Sequence, residues 1–138
     1  MNQRVAAFRP RSLAIFAAAV LGAASIAAQA APSAQAVRET EQLIQALGSS
    51  GCQFERNGSW YDSGEAQAHL RKKLAYLRKR DLADTAELFI ERAGSESSFS
   101  GKPYRVRCGN AAPVASAAWL KAKLVQLRAA RPATTPSP

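Results

Sequence analysis

Cys52 and Cys108 are the only cysteines in this 138-residue chain, and joined they would constrain its fold more than any other feature. Disulfides persist in oxidising surroundings and are rare in the cytosol, so the pairing turns on the compartment, and the N-terminus speaks to that. Residues 1–12 carry Arg4, Arg9 and Arg11 and no acid, an apolar run follows from Leu13 to about Ala24, and Ala28-Gln29-Ala30 fits a small-residue cleavage pattern. Basic, apolar and small residues in that order describe a secretory signal peptide. The alternative, an uncleaved anchor, needs about 20 apolar residues, and this run is shorter. Cleavage is expected after Ala30, with Ala31 and Ala36 as alternative sites. Pro10 separates Arg9 from Arg11, so there is no twin-arginine pair, and no cysteine follows the apolar run to take a lipid. The processed chain is expected to be soluble and not an integral membrane protein.

In an exported chain an even count of two cysteines argues for one bridge. It would close a loop of roughly 55 residues, which a chain-entropy treatment equates with about 4 kcal/mol. Small domains have a total stability of roughly 5–15 kcal/mol, so that is a large share. The spacing fits neither a C-x-x-C redox pair nor a zinc site, and His69 is the only histidine. No metal or other cofactor is expected.

Residues 31–130 form one domain by length, and their patterning divides as follows. Ser33 is placed to cap a helix running to Leu47, with Ala36, Val37, Thr40, Leu43, Ile44 and Leu47 on one face and Gly48 as its stop. The period then changes: Cys52, Phe54 and Arg56 alternate with Gln53 and Glu55, and Asn57-Gly58 marks a hairpin that returns through Ser59, Trp60 and Tyr61. Asp62 and Glu65 form a capping box for a second helix to about Arg80, striped by Ala66, Leu70, Leu74 and Leu77. Asp84 and Glu87 repeat the box for a short third helix ending at Gly94. Residues 95–103 read as a loop, Tyr104, Val106 and Cys108 as a last strand, and Ser116 as the cap of a final helix with Leu120, Leu124 and Leu127 on one face. The tail from Arg131 is rich in Pro, Thr and Ser and is expected to be disordered. The fold class is α+β: about four helices around a small antiparallel sheet of about three strands, with one disulfide.

The formal charge is +9, of which roughly +6 remains after residues 1–30 are removed. Much of it lies in Arg71-Lys72-Lys73 and Arg78-Lys79-Arg80. Such a balance suits a solvated helix face, or an anionic partner such as nucleic acid, lipid headgroups or cell-wall polymer.

Several segments together resemble one family. Gly51-Cys52-Gln53-Phe54-Glu55-Arg56-Asn57-Gly58, then Ala66-Gln67-Ala68-His69-Leu70 with Lys73, then Ser100 to Cys108, then Trp119-Leu120 are similar to the YfeK-like family of small exported proteobacterial proteins, a domain of unknown function. The resemblance covers nearly all of the processed chain and implies a periplasmic location. It implies no activity, substrate or catalytic residue.

The candidate chemistry centres on His69. His69, Lys73, Tyr76 and Arg80 fall at i, i+4, i+7 and i+11, a polar and aromatic stripe beside the leucine seam. The stripe suits an anion or a sugar ring, or else His69 packs at the core edge and bonds to backbone. A hydrolytic reading takes a nucleophile from Ser95, Ser97, Ser98 or Ser100, His69 as base and Asp62 or Asp84 as orienter, but no G-x-S-x-G elbow supports it. Paired carboxylates are better explained as helix-start residues, and Ser100-Gly101-Lys102 lacks a full phosphate loop and reads as a turn. Of the aromatics near the sheet, Trp60, Tyr61, Phe99 and Tyr104, most are expected in the core, and one or two exposed beside basic residues can stack on a base or sugar; the strand bearing Trp60 is an edge to which a peptide can add.

A ligand surface is expected to comprise His69, Lys73, Tyr76, Asn57, Ser100, Lys102 and Tyr104, because the bridge would draw the last strand beside the hairpin and the second helix starts within a few residues of it. Three functional classes follow: a non-enzymatic binding or interaction module, partnered by a periplasmic protein or an anionic envelope component; a polyanion binder; and a small hydrolase.

Overall fold

The computed structural model describes residues 31–132. The expected signal peptide and nearly all of the expected tail lie outside the described residues. The chain runs α1 (Ala34–Gly48), β1 (Gln53–Arg56), β2 (Ser59–Tyr61), α2 (Ser63–Arg78), α3 (Ala86–Phe89), a π-helical turn (Ile90–Gly94), β3 (Arg105–Arg107), β4 (Val114–Ala115) and α4 (Ser116–Ala129). This is the expected α+β class.

Local chemistry accounts for most boundaries. Ser33 caps α1 by accepting from the Ala36 amide, and Asp62 and Glu65 close the full capping box of α2. Asn57 and Gly58 both take positive φ, 52° and 86°, the left-handed pair that a two-residue hairpin turn demands. β1 and β2 then pair antiparallel with Phe54 opposite Tyr61.

The sheet is antiparallel in the order β2-β1-β3-β4. Phe54 lies opposite Val106 across β1 and β3. The Cys52–Cys108 disulfide, with Cα atoms 4.4 Å apart, ties the approach to β1 to the exit from β3 and spans 56 positions of sequence. The core lies between the sheet and the helices: Phe54 and Val106 meet Leu43, Ile44 and Leu47 of α1, Leu70, Leu74 and Leu77 of α2, Phe89 and Ile90, and Leu120 and Leu124 of α4. Trp119 packs edge-on against Phe54, ring centroids 5.7 Å apart.

Three expectations need correction. The sheet has a fourth strand: Val106 pairs with Val114, in a segment too short to show alternation. The third helix is capped by Thr85, which accepts from the Leu88 amide, not by Asp84. Ser116 does not cap α4; Ala115 holds the cap position without a side-chain bond, and Ser116 is buried with its amide donating to the Tyr104 carbonyl. Gly48 and Gly94 end their helices as expected; a Cβ on Gly94 would run into the buried Leu120 side chain, and one on Gly48 would meet only the end of the Gln67 side chain.

One buried charge in the first helix has no apolar logic. Glu39 is 2% exposed and receives Arg128 Nη2 at 2.8 Å and Arg131 Nη2 at 2.9 Å. Arg128 also reaches Glu87 at 2.7 Å. Hydrogen bonding from Arg128, with help from Gln35 and Arg131, outweighs the cost of burial and holds the Glu39 carboxyl down to about 2. This cluster fastens α1 to the end of α4.

Candidate functional site

The site is assembled where the hairpin, α2 and the segment leading into β3 converge. Arg56 closes β1 in phase with Phe54, so strand alternation sends its side chain to the face that α2 covers. His69 stands next to the buried Leu70 on α2, and Lys73 follows one turn later. Tyr104 is fixed by its backbone: its amide donates to the Ser95 carbonyl and its carbonyl accepts from Ser116.

Arg56 Nη1 lies 2.6 Å from His69 Nδ1. A guanidinium has no acceptor and keeps its charge in proteins, so Nδ1 accepts and the ring is neutral with its proton on Nε2. That proton points to the Tyr104 hydroxyl at 3.2 Å. Burial first, and then the charges of Arg56, Lys73 and Lys72, push the imidazole down to about 4. Lys73 Nζ donates to the Glu96 carbonyl at 3.0 Å and reaches the Tyr104 hydroxyl at 3.5 Å. Burial also lowers the Lys73 ammonium; the Glu96 charge opposes this and Arg56 adds to it. Burial raises the Tyr104 phenol, with Arg56 acting against it.

Two clefts share this wall. One of about 290 Å³ has an apolar lining from Leu47, Phe54 and Leu70 and carries Glu55, Glu65, Arg56 and Lys72. The other, about 440 Å³, is lined by Arg56, Asn57, Ser59, Tyr61, His69, Lys73, Ser97, Ser98, Phe99 and Tyr104, with no carboxylate side chain among them. Arg56, Tyr61, His69 and Tyr104 belong to both. Arg56 also lies over the Tyr61 ring, 4.8 Å from its centroid.

The loop before β3 is braced from within. Ser97 is buried, and its Oγ accepts from the Phe99 and Ser100 amides at 3.3 Å each and from Asn57 Nδ2 at 3.4 Å. Ser100 Oγ returns a bond to Asn57 Oδ1 at 2.5 Å. Gly101 takes φ 69°, so Ser100-Gly101-Lys102 is a turn. The hairpin tip and this loop are thereby locked together, leaving Phe99 97% exposed at the rim.

Of the sequence-derived candidates, His69, Lys73, Tyr104, Asn57 and Ser100 are brought together. Tyr76 is not: it stands 55% exposed with Arg80 stacked over its ring at 3.8 Å. Lys102 is also apart; its amide donates to Ser100 Oγ and its carbonyl accepts from Ser97, both backbone contacts. Tyr61 and Phe99, two of the aromatics considered for stacking, also line the larger cleft; the residue missed was Arg56. Arg56 was within reach of the strand alternation already noted, since it shares a phase with Cys52 and Phe54. The serine–histidine–aspartate arrangement is not assembled: both ring nitrogens of His69 are occupied, by Arg56 and Tyr104, and Asp62 serves as a helix cap.

A model described as a family of unknown function, DUF5329, matches residues 34–128. The uncharacterized protein YfeK of Salmonella typhimurium strain LT2 is 51% identical over 51 residues, covering 37% of this chain and 41% of that relative. The chain thus spans less than half the length of this relative. No solved structure matches. The matched family range takes in every helix and strand except the last residue of α4, and the chain belongs to this YfeK-like family of unknown function, DUF5329.

Proposed function

We propose that this protein is exported to the periplasm by a signal peptide at residues 1–30 and acts there as a non-enzymatic binding or interaction module. The ligand docks on the face that carries Arg56, His69, Lys73 and Tyr104, with Asn57 and Ser100 bracing the adjoining loops. The disulfide is consistent with an oxidising compartment, and no helix among the described residues is long and apolar enough to cross a membrane.

One observation carries the binding reading. A neutral imidazole is wedged between a permanent cation and a phenol at the wall of two clefts. The apolar cluster at the centre of the core is made of other residues, and polar side chains converging in a cleft are the usual mark of a ligand site. Hydrolysis is less favoured, because an imidazole held at about 4 is a weak base near neutral pH.

A polyanion-binding surface is the second reading, motivated by the basic triplets of α2. Its support is thinned by pairing: Arg71 and Arg78 both reach Glu41, at 2.9 and 3.5 Å, and Lys73 turns into the cleft. Capture from periplasmic extract, comparing native protein with a His69→Ala/Lys73→Ala variant of unchanged melting temperature, tests the module. A partner retained by the first and lost by the second is expected; equal retention overturns the reading. Retention that collapses between 50 and 200 mM salt favours the polyanion surface instead.

A further inference from the structure

The larger cleft presents hydrogen-bond donors in excess. Arg56 fixes His69 as acceptor at Nδ1 and donor at Nε2. The Tyr104 oxygen therefore accepts from His69 and stands within reach of Lys73. Its own proton has no acceptor among the described residues. Lys73 spends one donor on the Glu96 carbonyl, and the Arg56 fork has five N–H groups, of which one is on His69. A cleft with surplus donors, two cations and no carboxylate in its lining selects a ligand that only accepts. The Glu96 carboxylate lies near enough to support the Lys73 charge but does not line the cleft. At the rim, the exposed ring of Phe99 offers a flat apolar surface for a ring to pack on.

We propose that this cleft binds a small oxyanion-bearing ligand, its carboxylate or phosphate received by Arg56, Lys73 and the Tyr104 hydroxyl and its ring packed on Phe99. The proposal deepens the binding-module reading and rests on it. Charge-assisted hydrogen bonds at a converging set of this kind are the strong ones, and a single bound oxyanion displaces few counterions, so its affinity falls only gently with salt.

Titration of the exported protein with glucuronate, glucose 6-phosphate and glucose, followed by NMR of the His69 and Tyr104 rings, tests it. One or both charged sugars are expected to bind and glucose at equal concentration not to; which of the two binds more tightly tells carboxylate from phosphate. Bound oxyanion favours imidazolium, so the apparent pKa of His69 is expected to rise on saturation, a change that a purely structural histidine does not make. Lys73→Met keeps the apolar stem and is expected to weaken binding by about tenfold or more. Tyr104→Phe removes only the hydroxyl and is expected to weaken it by a smaller factor. Equal binding of glucose and glucuronate, or affinity unchanged in a folded Lys73→Met variant, overturns the oxyanion assignment. So does the failure of both charged sugars to bind while a periplasmic partner is still captured through His69 and Lys73, and that outcome leaves the binding-module reading standing.

Discussion

Arg56 Nη1 and His69 Nδ1 approach to 2.6 Å across the junction of β1 and α2, a contact that only a neutral ring accepts. Strand and helix are thus joined by a bond whose existence depends on protonation. The unfolded chain carries a histidine of ordinary pKa near 6.5, whereas the folded ring is held at about 4.

The first prediction follows from that difference. Below about pH 6.5 the unfolded chain takes up a proton that the folded one refuses, so stability is complete above 6.5 and lost as pH falls through 4. Because the ring is partly open to solvent, the loss is expected to be about 1–2 kcal/mol, below what the full shift implies. Denaturant unfolding at pH 7 and pH 4.5 checks it: native protein is expected to lose stability, and His69→Gln to lose less over the same interval. Parallel curves for the two proteins refute the coupling.

The second concerns Glu39. Its folded pKa of about 2 lies below the ordinary 4.5, so its contribution is present above pH 4.5 and lost as pH falls toward 2. Glu39→Gln leaves Arg128 and Arg131 without their buried partner, though both are partly solvated. The expected cost is about 2–3 kcal/mol, with faster amide exchange in the last turn of α4. Unchanged exchange there is the contrary result.

The third concerns the bridge. Replacing Cys52 and Cys108 with alanine is expected to cost about 2–5 kcal/mol and, at roughly 4–8 °C per kcal/mol for a domain near 100 residues, to lower Tm by ten degrees or more. A thermal melt of the double variant against native protein, with native protein plus reductant as a third arm, measures it.

The fourth separates two glycines. Gly94→Ala drives a methyl into Leu120, which is fully buried and has nowhere to move; overpacking of this kind costs about 1–3 kcal/mol. Gly48→Ala meets only the end of the Gln67 side chain, which swings aside and gives up its bond to the Ile44 carbonyl. Its cost is expected to stay below about 1 kcal/mol. Equal costs contradict this reading of the two contacts.

The parts of the fold legible in the sequence were those with local causes. Ser33, the Asp62–Glu65 box and Asn57-Gly58 act within four residues of themselves, and each stands where expected. β4 escaped because its two residues are a strand only by virtue of β3. Glu39 escaped because its partners lie 89 and 92 positions away, and no helical period marks a buried acid. Likewise the site was half legible: periodicity placed His69 and Lys73 on one face and the bridge drew Tyr104 to them. The same periodicity misled at Tyr76, because seven residues of helix carry the stripe about 10 Å along the axis from His69, outside the lining of either cleft. Arg56 is the instructive omission, since the alternation that identified Phe54 as core also aimed Arg56 at α2.

The Glu39 cluster also fixes how the molecule presents itself. Glu39 belongs to the second turn of α1, and Arg128 and Arg131 to the end of α4, so the polypeptide enters and leaves the fold on one side. Leu47 and Ser116, which line the smaller cleft, occupy the opposite ends of the same two helices; eight helical residues separate Glu39 from Leu47, a rise of about 12 Å. The first and last turns that carry the described chain into and out of the fold therefore lie at the ends of α1 and α4 remote from the smaller cleft.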